Sequence, residues 1–251
     1  MFEKGGPLND EAENLSDAVA RMARDLLEQG SVQTTVGGVA ELAVSEVEGA
    51  AYASVSLVHR SGSVTTPAAT DPVTHKIDQI QDSAGQGPCL AAVWDHDVFA
   101  IDDMESETRW PEFVKNVRGL GVSSMLSFHL YTHQDTLGVL NLYGTEPAAF
   151  TRSSRDTGRS LAAQAAVALA RVQKEEHLTT ALGSRQYIGE ATGIVMERYK
   201  VTSEQAFAML AHISQNLNVK LRELAQDLVR TGALPEQQAD QRRGRRSKPG
   251  V

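Results

Sequence analysis

The chain has almost no cysteine, few aromatic residues and no long apolar run. Cys89 is the single cysteine in 251 residues, which excludes a disulfide within the chain and is typical of a reducing compartment. Aromatic residues make up only 5% of the sequence. No stretch approaches the roughly 20 apolar residues that cross a bilayer, and the N-terminal sequence does not resemble a secretory signal. We therefore expect a cytoplasmic protein with no membrane partner.

The sequence also lacks the common catalytic motifs. It contains no G-x-S-x-G elbow, no glycine-rich phosphate loop ending in Lys-Ser/Thr and no H-E-x-x-H. His177, in "EEHLTTAL", is similar to a phosphoacceptor histidine, but no ATP-binding domain follows it. His96, Asp97, Asp102 and Asp103 are close in sequence but straddle a predicted strand, so they point to different ends of it. We predict neither an enzyme nor a metal site.

The charge of the chain is unevenly distributed. The net charge is −8, but residues 177–251 contain 11 lysines and arginines against 7 acidic residues, a balance of +4. Residues 1–176 contain 13 against 25, a balance of −12. This asymmetry favours an anionic partner for the C-terminal part. Five of the eleven basic residues lie in the tail after residue 241, so the tail alone also accounts for much of the asymmetry.

Apolar periodicity predicts an α+β fold for the N-terminal part. Helical spacing covers residues 12–29 and a second helix that Ser31 caps and that runs to about residue 48. Alternation then predicts strands near residues 51–58 and 63–69, two short helices, a strand, a helix begun by Pro111, and a hairpin of two strands. This order predicts a mostly antiparallel sheet with helices on its face. With the turn "GQGPC" that precedes a short helix, it resembles the GAF domain, which implies a sensor with a small-molecule ligand of unknown identity.

A long helix follows, without a strong breaker from Ser153 to about Lys200. Its small and aliphatic residues recur at helical spacing through Leu178 and Leu182. The first half of this stripe is expected to pack on the preceding sheet. The stretch 173–184 has no such cover, so a parallel coiled coil and a homodimer are expected there.

Three helices are predicted at the C-terminal end. The segment 185–232, "RQYIGEATGIVMERYKVTSEQAFAMLAHISQNLNVKLRELAQDLVRTG", gives each helix one apolar face, with Phe207 assigned to the inward face of the middle helix. It resembles the ANTAR module of transcription antiterminators of actinobacterial type. The resemblance implies binding to leader RNA that carries two hairpins, and antitermination as the outcome.

Basic and polar side chains outside the predicted apolar faces are the expected RNA contacts, since lysine and arginine neutralise phosphates and threonine can bond to base edges. They are Arg185, Thr192, Arg198, Lys200, Lys220 and Arg222. Related modules often have a basic residue at position 192 and another at 211–212, where this chain has Thr192 and Ala211–His212.

Cys89 is a candidate redox sensor. It follows Pro88 at the predicted start of a short helix, where the helix N-terminus favours a thiolate and lowers the pKa. The other interpretation is a small buried apolar residue.

The expected organisation is a disordered N-terminus (1–13), a GAF sensor (14–175), a connecting helix or coiled coil (153–184), an ANTAR domain (177–232) and a disordered basic tail (233–251). Two other functions stay open: a signalling module whose helical bundle docks on a protein partner, and a DNA-binding regulator.

Overall fold

A computed structural model describes residues 24, 26, 28–59, 61–95, 98–133 and 135–234. The predicted segment 1–13, most of the helix predicted over 12–29 and nearly all of the predicted tail lie outside these residues. The chain divides into two compact units, Met1–Lys174 and Glu175–Val251.

Unit 1 contains a five-stranded sheet and the helices that cover it. Its elements in chain order are α1 (Val32–Glu46), β1 (Tyr52–Val58), β2 (Val64–Ala69), α2 (Pro72–Ala84), α3 (Pro88–Asp95), β3 (Val98–Ile101), α4 (Pro111–Val117), β4 (Ser124–Tyr131) and β5 (Thr136–Gly144). The long helix α5 (Arg152–Tyr199) follows and crosses the boundary between the units. The strand order is β2-β1-β5-β4-β3, and every neighbouring pair is antiparallel.

Local chemistry explains where several helices begin. The Ser31 hydroxyl accepts from the Thr34 amide, and the Thr34 hydroxyl accepts from the Ser31 amide, which completes a capping box before α1. Asp71 caps α2 and Pro72 occupies its first turn, where a missing amide proton costs nothing. The α+β fold, the Ser31 cap and the two predicted hairpins are thereby confirmed.

Helices cover both faces of the sheet, whereas the sequence predicts them on one. Alternate residues of the central strands, such as Val55 and Leu140, pack with α1 and with the first part of α5. Met125 and Tyr143 point to the opposite face, where they pack with α2 and α4. Polar residues such as Ser54 occupy this second face, so the alternation resembles that of a strand with one solvated side.

Gly138 is the position in the sheet that is least tolerant of a side chain. A Cβ atom there would lie 2.0 Å from the backbone carbonyl oxygen of Ser56 on β1. Because β1 and β5 form the centre of the sheet, we expect Gly138→Ala to destabilise unit 1 by about 1–3 kcal/mol, the usual cost of forcing extra volume into a packed core. Urea unfolding followed by circular dichroism measures this change.

Gly37 provides the matched control. It lies inside α1 with no atom within 4 Å of an added Cβ, so Gly37→Ala should raise the free energy of unfolding by about 0.5–1 kcal/mol. Equal stability of Gly138→Ala and the parent chain would contradict the strand packing described above.

Unit 2 is a three-helix bundle made by the C-terminal part of α5, α6 (Ser203–Leu217) and α7 (Leu221–Thr231). Thr202 and Gln205 form a capping box at the start of α6, and Gly232 ends α7 in the left-handed conformation. Small and aliphatic side chains fill its core: Ala191, Val195, Ala206, Leu210, Leu224, Ala225 and Leu228. The predicted three-helix architecture is confirmed.

Candidate nucleic-acid interface

Five of the six predicted RNA contacts are exposed. Arg185 and Arg198 lie on α5, Lys200 lies in the turn before α6, Lys220 is the N-cap of α7, and Arg222 lies in its first turn. Their side chains leave the bundle from α5, from α7 and from the turns that precede α6 and α7. They are therefore available to an anionic partner.

The neighbours of these basic groups are mostly other parts of unit 2. Lys200 pairs with Glu197, and the Lys220 and Arg222 cations lie 4.0 and 3.9 Å from the Glu223 carboxylate. An Arg198 Nη2 donates to the carbonyl of Gly232 at 2.6 Å. Exposed pairs of this kind contribute at most about 1 kcal/mol each, so a phosphate can replace the carboxylate at low cost. Within the described part of the chain, Arg185 has no ion pair.

Thr192 does not belong with this exposed set. Its side chain is buried, and its hydroxyl donates to the carbonyl of Ile188 one turn earlier at 2.7 Å. A buried hydroxyl whose proton is already donated within its own helix can no longer donate to a base edge. Thr192 therefore lies in the bundle interior, apart from the five exposed basic residues, and its predicted contact with RNA stays a prediction.

The folded bundle itself is close to neutral. Residues 177–234 contain six basic residues (Arg185, Arg198, Lys200, Lys220, Arg222 and Arg230) and five acidic ones, so the balance is +1. Most of the positive charge of the C-terminal part belongs to residues 235–251, outside the described residues. Phosphate attraction by the bundle is therefore modest, and groups that contact bases become more important.

Sequence reasoning missed exposed aromatic side chains. Phe207 was predicted to face the bundle core, but it is 46% exposed on α6, and Tyr187 and Tyr199 are also solvent-accessible. The inward face of α6 is formed by Ala206 and Leu210, one turn apart, and Phe207 lies about 100° away from Ala206 around the helix. Exposed aromatic rings are the groups on which unpaired bases stack.

Cys89 is buried in unit 1, and its chemical environment is opposite to the predicted one. Burial and the nearby Asp78 carboxylate raise the pKa of the Cys89 thiol to about 12. Its backbone amide donates to Gln81 Oε1, so the start of α3 is occupied by an amide side chain. The predicted lowering of the Cys89 pKa is wrong, which removes the physical basis for a redox sensor at this position.

We expect Cys89 to react slowly with thiol reagents while unit 1 is folded. A pKa raised from 9.0 to about 12 lowers the thiolate fraction at neutral pH by about a thousandfold, and burial slows the reaction further. The rate of iodoacetamide labelling at pH 7.5, measured with and without 8 M urea, checks this. A folded chain that reacts as fast as the unfolded chain would contradict the expectation.

A network of polar side chains surrounds Asp78 on the same face of the sheet as Cys89. The Asp78 carboxylate accepts hydrogen bonds from Thr66 at 2.9 Å, Tyr143 at 3.1 Å and Ser54 at 3.3 Å. Desolvation raises the pKa of the Asp78 carboxyl, and the three hydroxyl donors act against that rise. The network lines a cavity of about 210 Å³ between β1, β2, α2 and α3.

The part of the chain that the structure describes contains neither a metal-binding cluster nor a membrane-spanning helix. No group of three or more histidine, cysteine, aspartate or glutamate side chains is arranged to hold a metal ion there. His96 and Asp97, which are close in sequence to Asp102 and Asp103, lie outside the described residues. None of the described helices is both long and apolar enough to cross a membrane.

The two units correspond to two known regulatory domains. Residues 29–170 match the family model of the GAF domain, which is a sensory domain, and residues 176–229 match that of the ANTAR domain, which is an RNA-binding antiterminator module. The GAF match covers more than half of the chain, so the chain belongs to the GAF-domain family and carries an ANTAR domain after its GAF domain. No curated protein matches the chain significantly.

Solved structures are similar to unit 1 in fold. The GAF domain of a phosphoenolpyruvate-protein phosphotransferase from Coxiella burnetii is 14% identical with a TM-score of 0.52, and the match covers 66% of this chain and 98% of that one. A domain of a two-component sensor histidine kinase protein from Sinorhizobium meliloti 1021 is 17% identical with a TM-score of 0.50, over 60% of this chain and 99% of that one. At such identities the similarity establishes the fold alone.

Proposed function

We propose that the chain is a non-enzymatic regulator of transcription antitermination, in which the GAF domain senses a signal and controls the binding of the ANTAR domain to leader RNA with two hairpins. The observation that carries this proposal is the ANTAR match over residues 176–229 on a complete three-helix bundle. A cytoplasmic location follows from this role, because the protein must reach nascent transcripts.

We propose the domain boundaries that the sequence predicts. The GAF sensor covers residues 14–175, the connecting helix 153–184 and the RNA-binding domain 177–232. The continuity of α5 from Arg152 to Tyr199 supports the connecting role, because one helix includes residues of both units. A signal in the GAF domain then shifts an equilibrium between RNA-competent and incompetent arrangements.

The proposed RNA surface combines basic and aromatic side chains. Arg185, Lys200, Lys220 and Arg222 neutralise phosphates, and Phe207 stacks on an unpaired loop base. Arg198 belongs to the same surface through its exposed guanidinium, which also holds the end of α7. The near neutrality of the bundle favours recognition of loops over attraction to any polyanion.

Homodimerisation through α5 is the second part of the proposal. Side chains 174–182 are all exposed, including Leu178 at 55% and Leu182 at 67%. The burial of α5 within unit 2 resumes only near Ile188 and Ala191. A helical stretch with solvent-exposed leucines one turn apart buries them when it pairs with the same stretch of a second chain.

Salt dependence tests the phosphate contacts. Replacing both Lys220 and Arg222 with glutamine should weaken binding to a hairpin RNA and reduce the slope of log Kobs against log salt by about 1.5, since each lost phosphate contact removes about 0.7–0.9. The slope is measured by fluorescence anisotropy between 50 and 300 mM KCl. Arg230→Gln is the control, because Arg230 lies two turns further along α7 and pairs with Asp227. An unchanged slope in the double variant would exclude these two residues from the contact surface.

A protein partner for the bundle is the alternative that one observation favours. Leu217 and Val219, at the turn between α6 and α7, are apolar and exposed, as in a surface that docks on another protein. Under that alternative, RNA affinity is insensitive to loop sequence.

A further inference from the structure

The cavity in unit 1 has a polar floor and a negatively charged wall. Ser56, Gln81 and Cys89 are its buried residues, Thr66 and Asp78 are half-buried, and the exposed rim includes His75 and Asp82. Neither lysine nor arginine lines it. An anionic ligand would therefore meet two carboxylates with no countercharge except an imidazole.

Asp78 is held in a fixed position and retains capacity to bind. Its three hydroxyl donors fix both carboxylate oxygens, Oδ1 through Tyr143 and Oδ2 through Thr66 and Ser54. A carboxylate offers about four lone-pair positions, so three donors leave Asp78, which lines the cavity, one further acceptor position. Among the described residues no lysine or arginine forms an ion pair with Asp78, and the His75 imidazole is the positive group that acts on it electrostatically.

Gln81 supplies an independent indication of a ligand. The residue is 2% exposed, and its Oε1 accepts from the Cys89 amide at 2.9 Å, which fixes the orientation of the side-chain amide. Nε2 is buried without a hydrogen-bond partner in the described structure, although the residue lines the cavity. Rotating the amide would only turn the NH2 group against the Cys89 N–H. A buried donor without a partner is costly, so an acceptor group bound in the cavity would stabilise this side chain.

The size of the cavity limits the ligand. At about 210 Å³ it is smaller than the 300–1,000 Å³ that is typical of pockets for drug-sized ligands. It therefore suits a molecule of about amino-acid size and is too small to enclose a whole nucleotide.

We propose that this cavity binds a small organic cation, a primary amine of amino-acid size, whose ammonium group donates to the Asp78 carboxylate and whose carbonyl oxygen accepts from Gln81 Nε2. The inference deepens the proposed sensor role of the GAF domain, because it names the chemical class of the signal. Binding uses no covalent step. Neutralising Asp78 with an ammonium group compensates for the burial that raises its pKa.

A four-carbon series of probes tests charge and hydrogen bonding separately. 4-Aminobutanamide carries both groups, butylamine only the cation, butyramide only the carbonyl, and butyrate the opposite charge. Isothermal titration of the full chain should give the tightest Kd for 4-aminobutanamide, at least about tenfold weaker binding of butyramide, and no binding of butyrate. Butyramide or butyrate binding as tightly as the amines would overturn the proposal, as would no binding of 4-aminobutanamide at millimolar concentration.

Three variants locate the site. Asp78→Asn should raise the Kd of both amines at least about tenfold. Asp82→Asn lies at the exposed rim and should change the same Kd values less than about threefold, because solvent screens its charge. Gln81→Met removes the side-chain amide, so 4-aminobutanamide should bind this variant no more tightly than butylamine does. Equal effects of Asp78→Asn and Asp82→Asn would contradict the assignment. If a variant fails to unfold cooperatively in urea, the probe series on the parent chain decides alone.

RNA binding in the same samples separates this inference from the proposed function. A chain that binds hairpin RNA but no amine contradicts only the ligand assignment. A chain that binds the amine but no RNA contradicts only the antitermination proposal.

Discussion

Replacing Leu178 and Leu182 together with glutamate is expected to convert a dimer into a monomer and to weaken binding to RNA with two hairpins by about 100-fold or more. Two RNA-binding domains held together turn the second hairpin contact into an intramolecular step, which raises affinity by about 10²–10⁴ without any new contact. Both leucines are more than half exposed, so their replacement leaves the core of the single chain intact.

The dimer prediction is measured by light scattering on a size-exclusion column together with RNA titration. Thr180→Glu is the control, because Thr180 lies on the opposite side of α5 from Leu178 and is also exposed. Affinity for RNA with a single hairpin should change little in the double variant. A parent chain that is monomeric at micromolar concentration, or a double variant that stays dimeric, would contradict the proposed role of this stretch.

Phe207→Ala is expected to weaken hairpin RNA binding by about ten- to a hundredfold, because stacking of one base on an aromatic ring contributes about 1–3 kcal/mol. The ring is 46% exposed, and the core positions of α6 belong to Ala206 and Leu210, so the bundle stays folded. Phe207→Tyr keeps the ring and should restore most of the affinity.

Leu217→Ala separates stacking from general apolar contact. Leu217 is 44% exposed on the same helix but has no aromatic ring. Anisotropy titrations at 150 mM KCl should show a small effect for this variant and a large one for Phe207→Ala. Equal losses of RNA affinity would contradict a stacking role for Phe207.

The elements of the fold followed from short-range chemistry. The sequence alone indicates the Ser31 cap, the helix begun by Pro111 and the alternation in the strands, because each of these acts within a few residues. The basic residues that were expected to contact RNA lie on the surface, because long charged side chains rarely enter a core.

What could not be predicted depends on packing between distant residues. Periodicity places Ala206 and Phe207 within 100° of each other, and only the positions of α5 and α7 decide which of them is buried. Cys89 lies at a helix start in both interpretations, but its pKa is set by burial and by Asp78, which is eleven positions earlier. The second covered face of the sheet was missed because its residues are serine, threonine and asparagine, which satisfy one another inside unit 1.

Recognition of RNA loops by residues 177–232 is the central claim, and one competition experiment tests it most directly. The purified full chain is bound to a labelled leader RNA with two hairpins from its own genome at 150 mM KCl, and three unlabelled competitors are added: the same RNA, the RNA with altered loop bases, and duplex DNA of equal length. The account predicts that only the unaltered RNA competes effectively. Duplex DNA or loop-altered RNA competing as well as the unaltered RNA would contradict it.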